Sequence, residues 1–394
     1  MSLNKLRLGL MRALVALSFV WPFINANYFF PQAEFEVNFL PVFVAAAIAP
    51  EILAADGVAL ALLTGTLAFA ATYGSMDAVL RIAIGAFPCI FLLNLQQYCV
   101  RSNKELIPRS LAYRTLQLFV SFSVLQWIDF YVHSVIPGWI TDLLTVLVPR
   151  YSGHPYDELG LRGVQGWASE PSGAAVISLC FAVVAVRQDP RRRLWVLLWL
   201  CILVVVNKSI YGMVLVAVFG FICLARRKYK WHSIIGLGLL TAGFLIYALK
   251  SARLEEVVAT MVLYGADPAI NIDLARVNQM LLPLAAFPGI YKPFTIFGVD
   301  MQPMGLLPLL VGYGSVFGLS LYARLVFFKL PLRNLQSSTL ALLMLLMISF
   351  VVPPDLIPAI VAFTYALTPT TGLPRKDIWH ERVANKLHGA YAAP

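Results

Sequence analysis

The chain is built almost throughout from apolar runs, many of them about 18 residues long or longer, separated by short polar connections. A run of that length can cross a bilayer as a helix, which satisfies all of its backbone hydrogen bonds internally. Charged residues make up 13% of the chain, against about 25% in soluble domains. The sequence therefore predicts an all-α polytopic membrane protein with a single integral domain, residues 1–394.

Hydropathy predicts about twelve transmembrane helices. They are placed near residues 10–30, 37–54, 57–74, 78–99, 112–135, 173–187, 193–207, 209–226, 232–250, 304–327, 337–352 and 355–370. With the N-terminus inside, every basic cluster falls on the inner side, as the positive-inside rule expects, and the tail 371–394 is cytoplasmic too. The net charge of +10 is explained in this way and does not indicate nucleic-acid binding.

Two long polar loops then lie outside, at 136–172 and 251–303. In the second loop, flanking prolines predict a helix around Asp273 to Leu282. The first loop contains the sequence RGVQGWASEPSG, from Arg162 to Gly173. Its glycines either allow close approach of the backbone or are ordinary loop residues.

Cations are scarce on the outer side, so each one needs a physical reason. Arg162, Lys208 and Arg276 are the candidates for binding a lipid diphosphate, since arginine forms bidentate contacts with phosphate and a lysine between two apolar runs is costly. The structural alternatives are headgroup contact for Lys208 and an ion pair with Asp273 for Arg276.

Glu170 precedes Pro171 at the start of a predicted span. It is either a general base that accepts a proton from a sugar hydroxyl or a charge that caps the helix N-terminus. Trp167, Tyr211 and Tyr291 are expected to contact sugar, with the interfacial aromatic belt as the alternative. The acidic residues show no spacing typical of a metal site, so no metal or other cofactor is expected.

These features resemble the Wzy-type bacterial polysaccharide polymerases, within the superfamily that includes the O-antigen ligases. The resemblance lies in the dozen spans, the two large outer loops, and the first-loop element with ten residues between Arg162 and Gly173. Lys208-Ser209 also looks like a short basic element of related enzymes. The second loop departs from the pattern, because Phe287 stands eleven residues after Arg276 and the nearest glycine is Gly289.

The resemblance implies a GT-C-like glycosyltransferase of the bacterial inner membrane, with periplasmic loops and cytoplasmic termini. It would transfer a growing glycan from polyprenyl diphosphate to a hydroxyl of the next lipid-linked repeat unit, with inversion. Arg162 and Glu170 would be catalytic, and Arg162, Lys208 and Arg276 would bind the diphosphate. Membrane lipids and a chain-length regulator protein are the other expected partners. An O-antigen ligase and a lipid-glycan transporter or flippase are the alternatives.

Overall fold

The computed structural model describes residues 5–21, 38–132, 136–147, 164–168, 171–224, 272–296, 299–327, 335–353 and 356–367. Of these described residues, 81% are helical, which establishes the all-α class. The α-helices of this part of the chain are α1 Lys5–Val20, α2 Leu40–Ile48, α3 Pro50–Leu53, α4 Gly57–Tyr73, α5 Met76–Arg101, α6 Leu111–Val132, α7 Gly138–Leu147, α8 Pro171–Gln188, α9 Arg193–Asn207, α10 Ile210–Leu224, α11 Ile272–Ala285, α12 Leu306–Phe327, α13 Leu335–Leu346 and α14 Ile357–Leu367.

Shorter elements join these helices. A 3-10 turn, Pro190–Arg192, links α8 to α9, and a π-helical turn, Met347–Val351, follows α13. Two short antiparallel strands, β1 Phe294–Ile296 and β2 Val299–Met301, form a hairpin between α11 and α12.

Within the described residues, three helices are long and apolar enough to cross a bilayer, judged by length and composition: Met76–Arg101, Pro171–Gln188 and Leu306–Val326. Every predicted span that falls on described residues contains helix, and the predicted helix of the second loop is confirmed as α11. The span predicted at 232–250 lies outside the described residues. The architecture is therefore that of a helical protein embedded in a membrane, and the number of spans stays a prediction.

Helix α8 is central to the packing, since it contacts α6, α9, α10 and α14. Its residues from Ala174 to Ala185 are all buried. Helix α14 is buried along its whole length, which its apolar sequence allows because no face needs to meet water. A second group, in which α4 and α5 pack against α12, adjoins this core through contacts between α5 and α14.

Helix α12 is not straight. Ser315 has φ 49° and ψ −130°, which breaks the helix near its middle. A Cβ atom on Gly318 would collide with the carbonyl oxygen of Leu310, whereas eight residues span about 12 Å in a straight helix. Its two segments therefore fold back towards each other. The break is joined to the segment before it by hydrogen bonds from Ser315 Oγ to Pro288 O and from Tyr291 N to Gly312 O.

One end of the bundle collects most of its described basic residues, and we call it the basic end. It lies where α5 ends, α6 begins and α8 ends, and contacts between side chains join these elements. Gln188 Nε2 donates to Glu105 Oε2 at 3.1 Å, and Asn94 donates to the carbonyl of Ile52 near the start of α4. The basic side chains of this end are Arg7, Arg101, Lys104, Arg109, Arg187, Arg191, Arg192, Arg193 and Arg324.

Candidate functional site

The opposite end of the bundle brings together Trp167, Lys208 and Tyr211, three of the residues that the sequence singled out. Here α6 ends, α8 begins, and α9 passes into α10. We call it the Lys208 end. It is built from the described part of the first-loop element, residues 164–168, packed against these helix ends.

Two backbone N–H groups of segment 164–168 donate hydrogen bonds to neighbouring helices. Val164 N donates to the carbonyl of Val206 at 3.3 Å, which joins the segment to the last turn of α9. Gly166 N donates to Gln126 Oε1 at 2.8 Å, which joins it to α6. Val164, Gln165 and Gly166 are buried, so these bonds satisfy polar groups that water does not reach.

The backbone conformation and the close packing at position 166 require glycine. Its φ is +62°, a conformation that costs a residue with a side chain roughly 1–2 kcal/mol. A Cβ atom there would also collide with Ser123 Oγ on α6. By contrast, a Cβ atom on Gly173 would meet only Ala168 Cβ, at an ordinary 3.9 Å. The structure thus separates two glycines that the sequence left equivalent.

Trp167 lies in an aromatic cluster. Its ring centroid is 5.5 Å from that of Phe122, 5.8 Å from Trp21 and 6.4 Å from Phe119. These rings occupy its surroundings, while its indole Nε1 is buried with no hydrogen-bond partner among the described residues. Neighbouring rings therefore surround Trp167, and its predicted contact with sugar stays a prediction.

Lys208 forms the joint between α9 and α10. It adopts the left-handed conformation, with φ 49° and ψ 29°, and its N–H closes α9 by donating to Val204 O at 3.0 Å. The next residue, Ser209, caps α10, because its hydroxyl accepts a hydrogen bond from Gly212 N at 3.1 Å. This sharp joint holds a half-exposed lysine where the sequence allows almost no loop.

The N-termini of α8 and α10 meet beside this lysine. Asn207 Nδ2 donates to Pro171 O at 3.4 Å, and a Cβ atom on Gly212 would lie only 2.7 Å from Ala175 Cβ. Each of these helix N-termini carries a partial positive charge, which favours anions, and Ser209 already caps the N–H of Gly212. The C-termini of α6 and α9 end at the same place with the opposite partial charge, so the ammonium group of Lys208 is the fixed positive charge that suits phosphate here.

Two further polar atoms at this joint lack partners among the described residues. They are Asn207 Oδ1 and the hydroxyl of Tyr211 on the first turn of α10. Buried polar groups normally have a hydrogen-bond partner, so such groups are suited to a ligand or to water. The indole Nε1 of Trp167 is a third such atom, and an amide oxygen, a phenol and an indole N–H are each able to hydrogen-bond a hydroxyl group.

Other predicted site residues cannot be placed here. Arg162 and Glu170 lie outside the described residues, although the sequence puts Arg162 two residues before Val164 and Glu170 directly before Pro171. Arg276 lies on α11, which packs against α12, and its side chain is outside the described part. The predicted meeting of Arg162, Lys208 and Arg276 therefore stays a prediction.

Tyr291 is buried and forms a hydrogen bond within its own segment. It is 5% exposed, and its hydroxyl donates to the carbonyl of Met301 at 3.0 Å. Burial raises the pKa of this phenol. This hydrogen bond joins the residue three positions before β1 to the last residue of β2 and so closes the base of the hairpin, and the predicted contact of Tyr291 with sugar stays a prediction.

Gln126 and Asn207 are residues of this end that sequence reasoning missed. Each had a signal, because a polar amide inside or beside an apolar run needs a partner in a membrane. Asn207 stands directly before Lys208, and Gln126 lies within a predicted span. Among the described residues, no group of three or more His, Cys, Asp or Glu is arranged to hold a metal ion.

No family model, characterised protein or solved structure matches this chain.

Proposed function

We propose that this chain is a membrane glycosyltransferase that polymerises lipid-linked oligosaccharide repeat units. It would have about twelve spans in a bacterial inner membrane, with cytoplasmic termini and with the Lys208 end facing the periplasm. The single observation that carries this proposal is the meeting of segment 164–168, the α8 and α10 N-termini and Lys208 at one end. Supporting the orientation, the basic residues gather at the other end, where the positive-inside rule expects them.

The donor would be a glycan on polyprenyl diphosphate. Its diphosphate would bind Lys208 and the two helix N-termini, with Arg162 and Arg276 completing the positive site. Fixed positive groups stabilise the charge that grows on a leaving diphosphate and contribute several kcal/mol in a site that excludes water. Such a site does the work that a divalent cation would otherwise do, so the proposal includes no metal.

The transfer itself balances without a cofactor. A hydroxyl oxygen of the next lipid-linked unit attacks the anomeric carbon, and the bond from that carbon to the diphosphate oxygen breaks. The bonding electrons leave with the diphosphate, and Glu170 accepts the hydroxyl proton as general base. Attack from the face opposite the leaving group inverts the anomeric centre. A chain-length regulator would act on the same growing polymer.

The test is in vitro polymerisation by the purified protein in vesicles, with one synthetic lipid-linked repeat unit as the only substrate. Lys208→Ala should lower kcat/KM by about 10- to 100-fold, the loss of one charged contact to phosphate. Lys292→Ala is the matched control, because Lys292 is an exposed lysine of the second outer loop. Equal activity of the Lys208→Ala protein and the wild type would contradict the proposal.

The same assay separates the alternatives. A ligase would leave a single donor unreacted until an unrelated acceptor is added. A transporter would move the lipid-linked unit across the vesicle membrane without elongating it. One observation favours the transporter as second candidate: α12 is broken within an apolar helix, a feature that builds binding sites in many transporters.

A further inference from the structure

We propose that helix α7 lies flat in the lipid headgroup boundary on the side of the Lys208 end and sets the depth of that end in the membrane. The helix begins at Gly138, six residues after α6 ends at Val132. Its placement in lipid does not rest on the proposed glycosyltransferase function. The consequence for the depth at which a substrate binds does rest on that proposed function.

The two faces of α7 differ sharply in chemistry. At 100° per residue, its apolar side chains cover about 160° of the helix circumference and its polar ones the remainder. The apolar positions are Trp139, Ile140, Leu143, Leu144, Val146 and Leu147, and the polar ones are Gly138, Thr141, Asp142 and Thr145. Such a division is typical of helices that lie in an interface.

Two of the apolar side chains that the structure describes on α7 are exposed. Trp139 is 66% exposed and Leu143 is 47% exposed, while Ile140 packs against the edge of the core. A tryptophan on such a face suits the headgroup level, where the indole can bury its ring and keep its N–H in a polar layer. No lysine or arginine lies on α7, so apolar burial rather than attraction to anionic lipid would hold it.

The end of α6 couples this helix to the Lys208 end. Asp129 Oδ1 accepts a hydrogen bond from Ile136 N at 2.7 Å, which joins α6 to the residue two positions before α7. Gln126, one turn earlier on α6, binds segment 164–168 through Gly166 N. The two attachments are about 4.5 Å apart along the helix axis. A helix at the headgroup boundary therefore holds the Lys208 end at the depth where the phosphates of a lipid lie.

The experiment places one environment-sensitive fluorophore on the full-length protein in phosphatidylcholine vesicles. The labelled variants are Leu143→Cys and Trp139→Cys on the apolar face, and Thr141→Cys on the polar face as the matched control. Four of the native cysteines are buried and Cys201 is partly exposed, so unmodified protein gives the labelling background. Shallow nitroxide lipids should quench the probes at 143 and 139 at least threefold more than the probe at 141, and aqueous iodide should show the reverse order.

Anionic phosphatidylglycerol should change these ratios by less than twofold. Equal quenching of all three probes by iodide would overturn the proposal, since α7 would then stand in water. Protection of residues 143 and 139 from both quenchers would also overturn it, because another protein surface or a second copy would then cover the face.

A fourth variant tests the coupling in depth. Val205→Cys lies on an exposed position of α9, one turn before Lys208 and away from the residues of the site. Its probe should lie within about one helical turn, roughly 5 Å, of the depth found for residue 143. A probe far deeper than that would reject the coupling, and Lys208→Ala activity in the same vesicles would report separately on the proposed function.

Discussion

The amide oxygen of Gln126 accepts a hydrogen bond from the backbone N–H of Gly166 at 2.8 Å, forty residues further along the chain. Both residues are buried, with Gln126 2% exposed. This one bond joins segment 164–168 to α6, within a bundle held mainly by apolar packing.

Replacing Gln126 by methionine should lower the free energy of unfolding by about 1–3 kcal/mol. The side chain keeps its length but leaves the buried N–H of Gly166 without an acceptor. Thermal unfolding of the purified protein in detergent measures the loss. Gln117→Met, on a half-exposed position of the same helix, is the control and should change stability by less than about 0.5 kcal/mol. Equal effects of the two variants would show that the bond to Gly166 contributes little.

Replacing Gly166 by alanine should destabilise the protein by two separable causes. The added Cβ atom would collide with Ser123 Oγ, and the positive φ would strain the backbone by about 1–2 kcal/mol. Ser123→Ala in the same protein should remove the collision, because the next contact, with Ser123 Cβ, is at 3.5 Å. Partial recovery of the melting temperature in the double variant is expected. Full additivity of the two single changes would mean that the residues do not touch.

Gly212→Ala should destabilise the joint of α8 and α10, and Ala175→Gly should compensate. The added Cβ atom would lie 2.7 Å from Ala175 Cβ, too close for two carbon atoms in backbones that cannot move apart. The double variant restores one methyl group at the contact, on the other helix. A double-mutant cycle of unfolding free energies should give a favourable coupling of about 1 kcal/mol or more. A coupling near zero would show that the two helix N-termini are not in contact, which would contradict the proposed phosphate site.

Arg324→Met should destabilise the protein more than the double variant Asp56→Asn with Arg324→Met. Asp56 has a side chain that is 6% exposed, caps α4 through Ala59 N, and pairs with Arg324 at 3.2 Å. Removing only the arginine leaves a buried carboxylate, whereas asparagine keeps the cap without the charge. We expect a difference of about 1–3 kcal/mol in unfolding free energy.

The exposed pair Asp77–Arg81 supplies the control for that experiment. Its atoms are closer, at 2.8 Å, but its side chains are 47% and 32% exposed. Arg81→Met should therefore cost no more than about 0.5 kcal/mol, since exposed pairs four residues apart on a helix contribute little. A larger loss at Arg81 than at Arg324 would contradict the ranking by burial.

The variants Ser315→Gly and Ser315→Ala should differ in stability. Both lose the hydrogen bond to Pro288 O, but only glycine adopts φ 49° and ψ −130° without strain. The glycine variant should be more stable than the alanine variant by about 1 kcal/mol, measured by thermal unfolding. The reverse order would indicate that α12 straightens when the serine is lost.

Sequence alone determined the fold class. Apolar runs of membrane length allow little besides helices, because backbone groups in lipid must bond within their own segment. Residues 193–207 were predicted as a span and form α9 with the same bounds. The sequence also singled out Lys208 and Trp167, since polar groups beside apolar runs are rare enough to notice.

Tertiary structure decided which of these residues meet. The N-termini of α8 and α10 approach closely only because Gly212 and Ala175 are small, and nothing in the spacing of the two spans predicts that contact. The break in α12 could not be predicted from the sequence either, because Ser315 is an ordinary residue in an apolar run. Hydrogen bonds to Pro288 and from Tyr291, which belong to another segment, stabilise the broken conformation. Hydropathy reports how each segment partitions between water and lipid. Which helix faces meet depends on side-chain shape and long-range hydrogen bonds, and those appear only when the chain is folded.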